Sequence, residues 1–176
     1  MPIEDVREAV LMSLDEASMS PELATLIEAR QRLGQDRFDE VWDGVYVVAP
    51  DPTGEHAELA AQLAVLLHPR ARSRGSVVTA AFNLGAPRDF RVPDLGVHRE
   101  RPRGVWRPSA ALVVEVLSPR DRAYEKFGFY AAHRVQEIVI VRPVELAIEI
   151  WRRGNARYER VEPSEVLGVA GETLAE

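Results

Sequence analysis

The alternation of apolar and polar residues predicts a mixture of helices and short strands. Apolar positions with helical spacing predict helices over about residues 3–17, 21–33, 54–68 and 121–132. Runs rich in Val, Ile and aromatic residues predict a β-hairpin over about 38–49 and strands over about 76–83, 91–98, 111–117, 137–142 and 145–151. This order of elements is typical of a mixed α/β domain with a central sheet.

Local signals support several of these elements. Asp43-Gly44 suits a tight turn between the two strands of the hairpin, because both residue types tolerate positive φ. Thr53 is a candidate N-cap for the helix over 54–68. The apolar stripe of that helix includes His56 at its first turn, so we expect His56 to face inward. Asp121 is a candidate cap for the helix over 121–132.

Composition then limits the possible functions. Cys is absent from the 176 residues, which excludes thiol catalysis, cysteine-based zinc sites and disulfide scaffolds and fits a reducing compartment. The first ten residues are acidic and lack a long apolar run, so we expect no signal peptide, no membrane span and a cytoplasmic location. Without repeats or long linkers, we expect one domain over residues 1–176, with a helical extension over 1–36 and a core over 38–151.

The charged residues change this picture in two ways. The net charge of −6 argues against a bulk electrostatic grip on nucleic acid, so any such contact must be local. Of the 22 Lys and Arg residues, only Lys126 is a lysine. Lysine is a compact charge whose pKa can be lowered, whereas arginine stays charged, so a site that needs lysine resists replacement. Lys126 is therefore a candidate functional residue, and the alternative is a solvated helix lysine.

Two acidic residues stand inside predicted strands. Glu115 interrupts the apolar run ALVVEVL, and a carboxylate in a buried strand needs a partner, which is either a metal or an arginine. Asp94 follows Pro93 in VPDLGV, where the alternatives are a turn acid or a salt-bridge partner. On adjacent strands, the two acids and the backbone carbonyl of Val116 form a set of oxygen ligands suited to Mg²⁺ or Mn²⁺.

Three further residues are possible accessory groups. Tyr130 lies four positions after Lys126 and shares its helix face. His56 can ligate a metal or accept a proton, because a helix N-terminus favours the neutral imidazole; the alternative is a hydrogen-bonded core histidine. Glu40 alternates with Phe38 and Trp42 and is a candidate for a supporting role near the site.

These residues carry a resemblance to a known group of proteins. A Pro-Asp pair followed by an acid in a hydrophobic strand is similar to the PD-(D/E)XK nuclease superfamily, although Leu117 stands where the usual pattern has lysine. The run VVEVLSP followed by Lys126 and Tyr130, with the upstream hairpin and His56, is similar to the restriction-endonuclease-like family called Uma-two. In that family the lysine has moved to the following helix. The resemblance covers about residues 38–151.

The resemblance implies a restriction-endonuclease-like αβββαβ core with a mixed central sheet, extended by N-terminal helices and a β-hairpin. It also implies a Mg²⁺- or Mn²⁺-dependent endonuclease with DNA as the expected substrate, in which Asp94 and Glu115 hold the metal and Lys126 positions or activates water. Phosphodiester hydrolysis needs charge neutralisation, a metal-activated water and a nearby cation, which these residues provide. The alternative is a nuclease fold that binds nucleic acid or a protein partner without turnover.

Basic loop residues provide candidate contacts to nucleic acid. The loop RERPRGVWR can follow a phosphate backbone while its tryptophan stacks on a base. The candidate residues are Arg99, Arg101, Arg103, Trp106, Arg107, Arg120 and Arg122. The alternative is a set of scattered surface arginines. Because two copies related by a two-fold axis most simply cut both strands of a duplex, we expect a homodimer that associates through its N-terminal helices.

Overall fold

The computed structural model describes residues 10–13, 21–119 and 121–175, which form two sheets and five helices. The helices are α1 (Pro21–Leu33), α2 (Gly54–Ser73), a 3-10 helix (Ala123–Lys126), α3 (Phe127–Ala132) and α4 (Gly171–Ala175). The first strands are β1 (Val10–Ser13), β2 (Glu40–Trp42), β3 (Val45–Val48), β4 (Val77–Ala80), β5 (Asn83–Ala86) and β6 (Asp89–Arg91). The others are β7 (Leu95–His98), β8 (Trp106–Arg107), β9 (Leu112–Val116), β10 (Glu137–Arg142), β11 (Ala147–Arg153) and β12 (Tyr158–Val161).

The core sheet has the strand order β12-β11-β10-β9-β7-β4. Its β9 and β10 are parallel and its other neighbours are antiparallel, so the sheet is mixed. The elements of this sheet and the helices that cover it come in the order α2, β4, β7, β9, α3 and β10, with β5, β6 and β8 of the second sheet inserted between them. This order confirms the predicted αβββαβ core. None of the helices in the described residues is long and apolar enough to cross a membrane.

Helices cover both faces of the core sheet and thereby fix the direction of the side chains on β9. Leu67 of α2 packs in one cluster with Val114 and Val116, and Tyr130 of α3 packs in another with Val113. Because successive strand residues point to opposite faces, Glu115 faces the same side as Val113, toward α3. The strand therefore places an acid inside an otherwise apolar layer.

The second sheet has the order β1-β3-β2-β6-β5-β8 and includes the predicted hairpin. Asp43 and Gly44 have φ angles of 49° and 81° at the β2–β3 turn, as expected for this dipeptide. Val41 of β2 packs with Ile27 of α1 in a small apolar cluster. The neighbouring Glu40 consequently points to the other face, toward the core sheet.

Several predicted boundaries were wrong. The helix over 3–17 is contradicted at Val10–Ser13, which pairs with β3, and its other residues lie outside the described ones. A short apolar run fits both periodicities, and here pairing with β3 decides between them. The strand predicted over 91–98 is also divided, because Arg91 ends β6 and β7 begins only at Leu95, after Pro93. Strand β12 and helix α4, after the last predicted element, were not predicted.

Candidate active site

A buried cluster of two carboxylates and one ammonium group lies near the end of β9. Lys126 Nζ donates to Glu40 Oε1 at 2.9 Å and to the two Glu115 carboxylate oxygens at 3.1 and 3.3 Å. All three residues are buried. Lys126 comes from the 3-10 helix, Glu115 from the core sheet and Glu40 from the second sheet. The cluster therefore joins three elements that are distant in sequence.

Other donors fix the two carboxylates in place. Tyr130, fully buried on α3, donates its hydroxyl hydrogen to Glu115 Oε1. The Val92 backbone N–H donates to Glu40 Oε1 at 2.7 Å, and the Trp42 indole N–H donates to Glu40 Oε2 at 2.5 Å. Because buried polar groups are costly without partners, these bonds explain how the core tolerates both acids. The predicted shared face of Lys126 and Tyr130 is confirmed by their common contact with Glu115.

The second strand acid lies at the same edge of the core sheet. Leu95 of β7 is opposite Val114 of β9, so continuing this register by one residue sets Asp94 opposite Glu115. Asp94 Oδ2 accepts a 2.7 Å hydrogen bond from the Val116 backbone N–H. The N–H and C=O of one strand residue point to the same side of the strand. The Val116 carbonyl therefore also points toward Asp94.

His56 connects Asp94 to the loop after β9. Its backbone N–H donates to the Thr53 side chain at 3.3 Å, which confirms the predicted cap of α2. Its Nε2 lies 2.8 Å from Asp94 Oδ1, and its Nδ1 lies 3.4 Å from Ser118 Oγ. The hydrogen bond to Asp94 raises the pKa of His56. The imidazole is thus positioned to hold one oxygen of Asp94, and its raised pKa does not fit the neutral form that the helix N-terminus was expected to favour.

The charged groups of the site shift one another's pKa values. Burial raises the pKa of Glu115 to about 8, with Lys126 opposing the shift and Asp94 and Glu40 adding to it. Burial lowers the pKa of Lys126, but the charges of Glu115 and Glu40 outweigh this effect and raise it overall. Lys126 is therefore an ammonium ion at neutral pH. Asp94 and Glu40 disfavour the charged form of Glu115, so a bound divalent cation would stabilise its carboxylate form.

The oxygen atoms fit a hard divalent ion. Within the described ranges, no group of three or more His, Asp and Glu side chains is arranged to hold a metal by itself. Magnesium, however, is usually held by one or two carboxylates and completes its shell with water and substrate phosphate. Asp94, Glu115 and the Val116 carbonyl could form such a partial shell. Pro93 precedes Asp94 and has no N–H to donate to a neighbouring carbonyl, which favours an open edge here.

The predicted nucleic-acid contacts are spread over the surface. Arg122 lies near the acids, with its guanidinium 4.4 Å from the centre of the Trp42 ring, whereas Arg120 lies outside the described residues. Arg99 donates to Gln136 at 2.8 Å, next to the start of β10 and thus toward the opposite end of β9. Arg101 and Arg103 are exposed in the same loop.

The aromatic part of this predicted surface packs on the second sheet. Trp106 is half-buried in β8 and contacts Phe90 edge-to-face, with ring centres 4.9 Å apart. Arg107 donates to the Gly104 carbonyl at 2.7 Å and thereby closes its own loop. The structure therefore brings Asp94, Glu115, Lys126, His56, Glu40 and Tyr130 together. It does not gather the described arginines into one patch.

Sequence reasoning missed Arg91, a buried arginine beside the site. Its guanidinium lies 4.6 Å from the centre of the Trp42 ring and 4.1 Å from that of Phe129. It donates to the Val41 carbonyl at 2.5 Å and to Asp89 at 2.9 Å. By packing against Trp42, Arg91 supports the indole that holds Glu40. The sequence signal that could have identified Arg91 is its position directly before Val-Pro-Asp.

Comparisons with known proteins agree with this fold. The model of a family named Uma2, described as "Putative restriction endonuclease", matches residues 24–174. A solved structure from Anabaena variabilis ATCC 29413, described as "a putative nuclease belonging to DUF820", is similar with a TM-score of 0.65 and 16% sequence identity. The similarity covers 78% of this chain and 89% of the other. The chain has no significant match among curated proteins.

Proposed function

The chain belongs to the Uma2 family, and we propose that it is a metal-dependent nuclease. It hydrolyses phosphodiester bonds, with DNA as its substrate. The proposal follows from the family membership and from the geometry of the acids. The observation that carries the proposal is the Lys126 ammonium 3.1 Å from Glu115, with Asp94 directly before the neighbouring strand β7. A cation, a pair of acids and an open sheet edge are what hydrolysis of a charged phosphodiester needs.

In this proposal Asp94, Glu115 and the Val116 carbonyl hold Mg²⁺ or Mn²⁺. The bound ion supplies charge neutralisation on the phosphate and a lowered pKa for a coordinated water. Lys126 keeps its proton, because the surrounding acids raise its pKa. It therefore acts as a hydrogen-bond donor that positions water and as a positive charge near the phosphate. His56 holds Asp94 in its orientation, as partners of metal-binding carboxylates commonly do.

Leu117 stands where the usual nuclease pattern has a lysine, but the position of Lys126 in the fold still supports activity. Leu117 is half-buried and packs in the apolar cluster around α3. Lys126, nine residues later in the chain, extends its ammonium to Glu115 instead. A lysine that contacts the second acid is thus present, supplied by the 3-10 helix. This favours an enzyme over a fold that only binds nucleic acid.

The proposal is tested with Mn²⁺ calorimetry and with cleavage of plasmid DNA in Mg²⁺ or Mn²⁺. We expect Asp94→Asn and Glu115→Gln to abolish both metal binding and cleavage. Glu149→Gln is the matched control, because Glu149 is a buried acid of the same sheet that contacts neither Asp94 nor Lys126. It accepts hydrogen bonds from Tyr124 and Trp151 and pairs with Arg142 and Arg160. The control variant should keep both properties. Metal binding that survives in both site variants, or a wild type without metal-dependent cleavage, would contradict the proposal.

We also propose that the working unit is a homodimer, since a duplex has two antiparallel strands to be cut. The expected interface includes α1, which lies on the second sheet through Ile27. Sedimentation of the full chain at micromolar concentration tests this, and a monomer both with and without duplex DNA would contradict it.

A further inference from the structure

The turn between β10 and β11 exposes two large apolar side chains. Val144 and Leu146 have 89% and 85% of their surface accessible, the highest values among the large apolar residues that are described. They flank Glu145. The turn is closed by a hydrogen bond of 3.3 Å from the Leu146 N–H to the Pro143 carbonyl. Single exposed apolar residues are ordinary. Two on one projecting turn form a local apolar surface, which we call the β10–β11 tip.

The backbone conformation of the tip is unusual for a leucine. Leu146 has a φ of 49°, in the left-handed region. A leucine there is less favourable than a glycine or an asparagine, because of contacts of its Cβ. Either alternative would also be more soluble at an exposed turn. Neither the stability nor the solubility of the chain explains Leu146, so its side chain is better explained by a contact with another molecule.

The tip lies at the same edge of the core sheet as the acids. Val141 of β10 pairs with Val116, and its carbonyl accepts from the Leu117 N–H at 2.9 Å. Val144 follows three residues later, so it lies at most roughly 11 Å along the chain from that position. Base pairs in a duplex rise about 3.4 Å each. If a nucleic acid is cleaved at the acids, the base steps about three positions from the cleaved bond therefore lie within reach of the tip.

The base of the tip is held by polar contacts. Arg142 pairs with Glu145 at 2.7 Å and donates to the Tyr124 hydroxyl at 3.4 Å. Tyr124 belongs to the 3-10 helix that carries Lys126 and bonds Glu149 at 2.9 Å. The ion pair neutralises the one acid of the tip, which limits its repulsion of phosphates. The side chains of Val144 and Leu146 therefore project from a turn whose base is fixed by these contacts.

We propose that the β10–β11 tip inserts as an apolar wedge between base pairs of duplex DNA beside the cleaved phosphodiester. Proteins that bend DNA insert such apolar side chains between base steps and unstack them. This inference rests on the proposed nuclease function and extends it: the enzyme would act on duplex that it locally unstacks. The acidic chain has no general electrostatic hold on DNA, so a wedge contact would add a grip that does not depend on phosphate charge.

The test measures binding of a fluorescent 30-base-pair duplex containing 2-aminopurine in Ca²⁺, and cleavage of plasmid DNA in Mg²⁺. We expect the wild type to increase 2-aminopurine fluorescence through unstacking. The double variant Val144→Ser/Leu146→Ser should lose this increase and bind at least about tenfold more weakly. The single variant Leu146→Asn should lose part of the affinity while its melting temperature stays equal or rises, because asparagine tolerates positive φ. A residue with only a structural role would not show this combination.

Val65→Ser is the matched control, since Val65 is 75% exposed on α2, away from the tip. It should bind and unstack like the wild type, and all variants should keep the Mn²⁺ calorimetry signal. Equal fluorescence and affinity in the tip variants, with metal-dependent cleavage by the wild type, would overturn the wedge and leave the nuclease standing. A wild type that neither binds nor cuts duplex would overturn both. A tip variant that turns a dimer into a monomer with unchanged DNA affinity would assign the tip to a second copy and overturn the wedge.

Discussion

Replacing Lys126 by methionine removes the only described cation in contact with Glu40 and Glu115. Methionine keeps much of the apolar stem of lysine, so packing changes little, whereas the ammonium contacts at 2.9, 3.1 and 3.3 Å are lost. Two carboxylates then face each other in a buried site. We expect the metal-free protein to be strongly destabilised, because a buried charge is left without its partner.

The expected size follows from the geometry. At about 3 Å and an effective dielectric constant near 20, one ammonium–carboxylate pair contributes roughly 5 kcal/mol. Desolvation of the ions offsets much of that energy, and removing one partner of a buried pair costs about 3–5 kcal/mol. This cost is a large share of the roughly 5–15 kcal/mol by which domains are stable. Tyr130 stays as a donor to Glu115 and limits the loss.

The assay is urea unfolding at pH 9, above the pKa of about 8 of Glu115, with a chelator present. Unfolding is followed by the fluorescence of the three tryptophans. The control is Glu125→Gln, which removes the exposed ion pair with Arg122 at 2.6 Å and should leave the unfolding midpoint unchanged. Adding Glu115→Gln to Lys126→Met should restore part of the stability, since one buried charge disappears. A Lys126→Met protein as stable as the wild type, or no recovery in the double variant, would refute the charge cluster as described.

Two other predictions concern residues outside this cluster. His98 is buried in β7, and burial lowers its pKa from 6.5 to about 4. The unfolded chain then binds a proton that the folded one does not, so between pH 6.5 and pH 4 the free energy of unfolding should fall, by roughly 2 kcal/mol at pH 5. His98→Gln should show a correspondingly smaller fall in urea titrations at each pH, and equal slopes would argue against it. Gly85→Ala should lower the melting temperature clearly in calorimetry, because φ is +120° and a Cβ would lie 2.4 Å from the Asp89 carbonyl oxygen; an unchanged melting temperature would show that β5 relaxes freely.

Much of the core could be predicted from the sequence because its signals are local. The Asp43-Gly44 turn, the Thr53 cap and the apolar strand around Glu115 each depend on neighbouring residues. Lys126 and Tyr130 were paired correctly, since helical spacing alone places them on one face. The family and its fold followed from the same short motif and are confirmed.

The second sheet could not be predicted in the same way. Strands β5 and β6 have three or four residues each and are held by pairing between distant segments, such as Val41 with Phe90. Residues 10–13 became a strand for the same reason, through pairing with β3. Pairing partners of this kind leave no periodic signal in the segment itself. The sequence therefore predicts the core better than the sheet that supports it.

The second sheet nevertheless explains how a displaced lysine can serve the site. A lysine at position 117 would be held by the strand that carries Glu115, whereas Lys126 arrives from a helix and needs another anchor. Glu40 of β2 provides it at 2.9 Å and is itself held by Val92 and Trp42. If Glu115 turned its oxygens to a bound metal, Glu40 would still hold the ammonium beside it. The hairpin, for which the sequence suggested a supporting role only through Glu40, is thus part of the proposed active site.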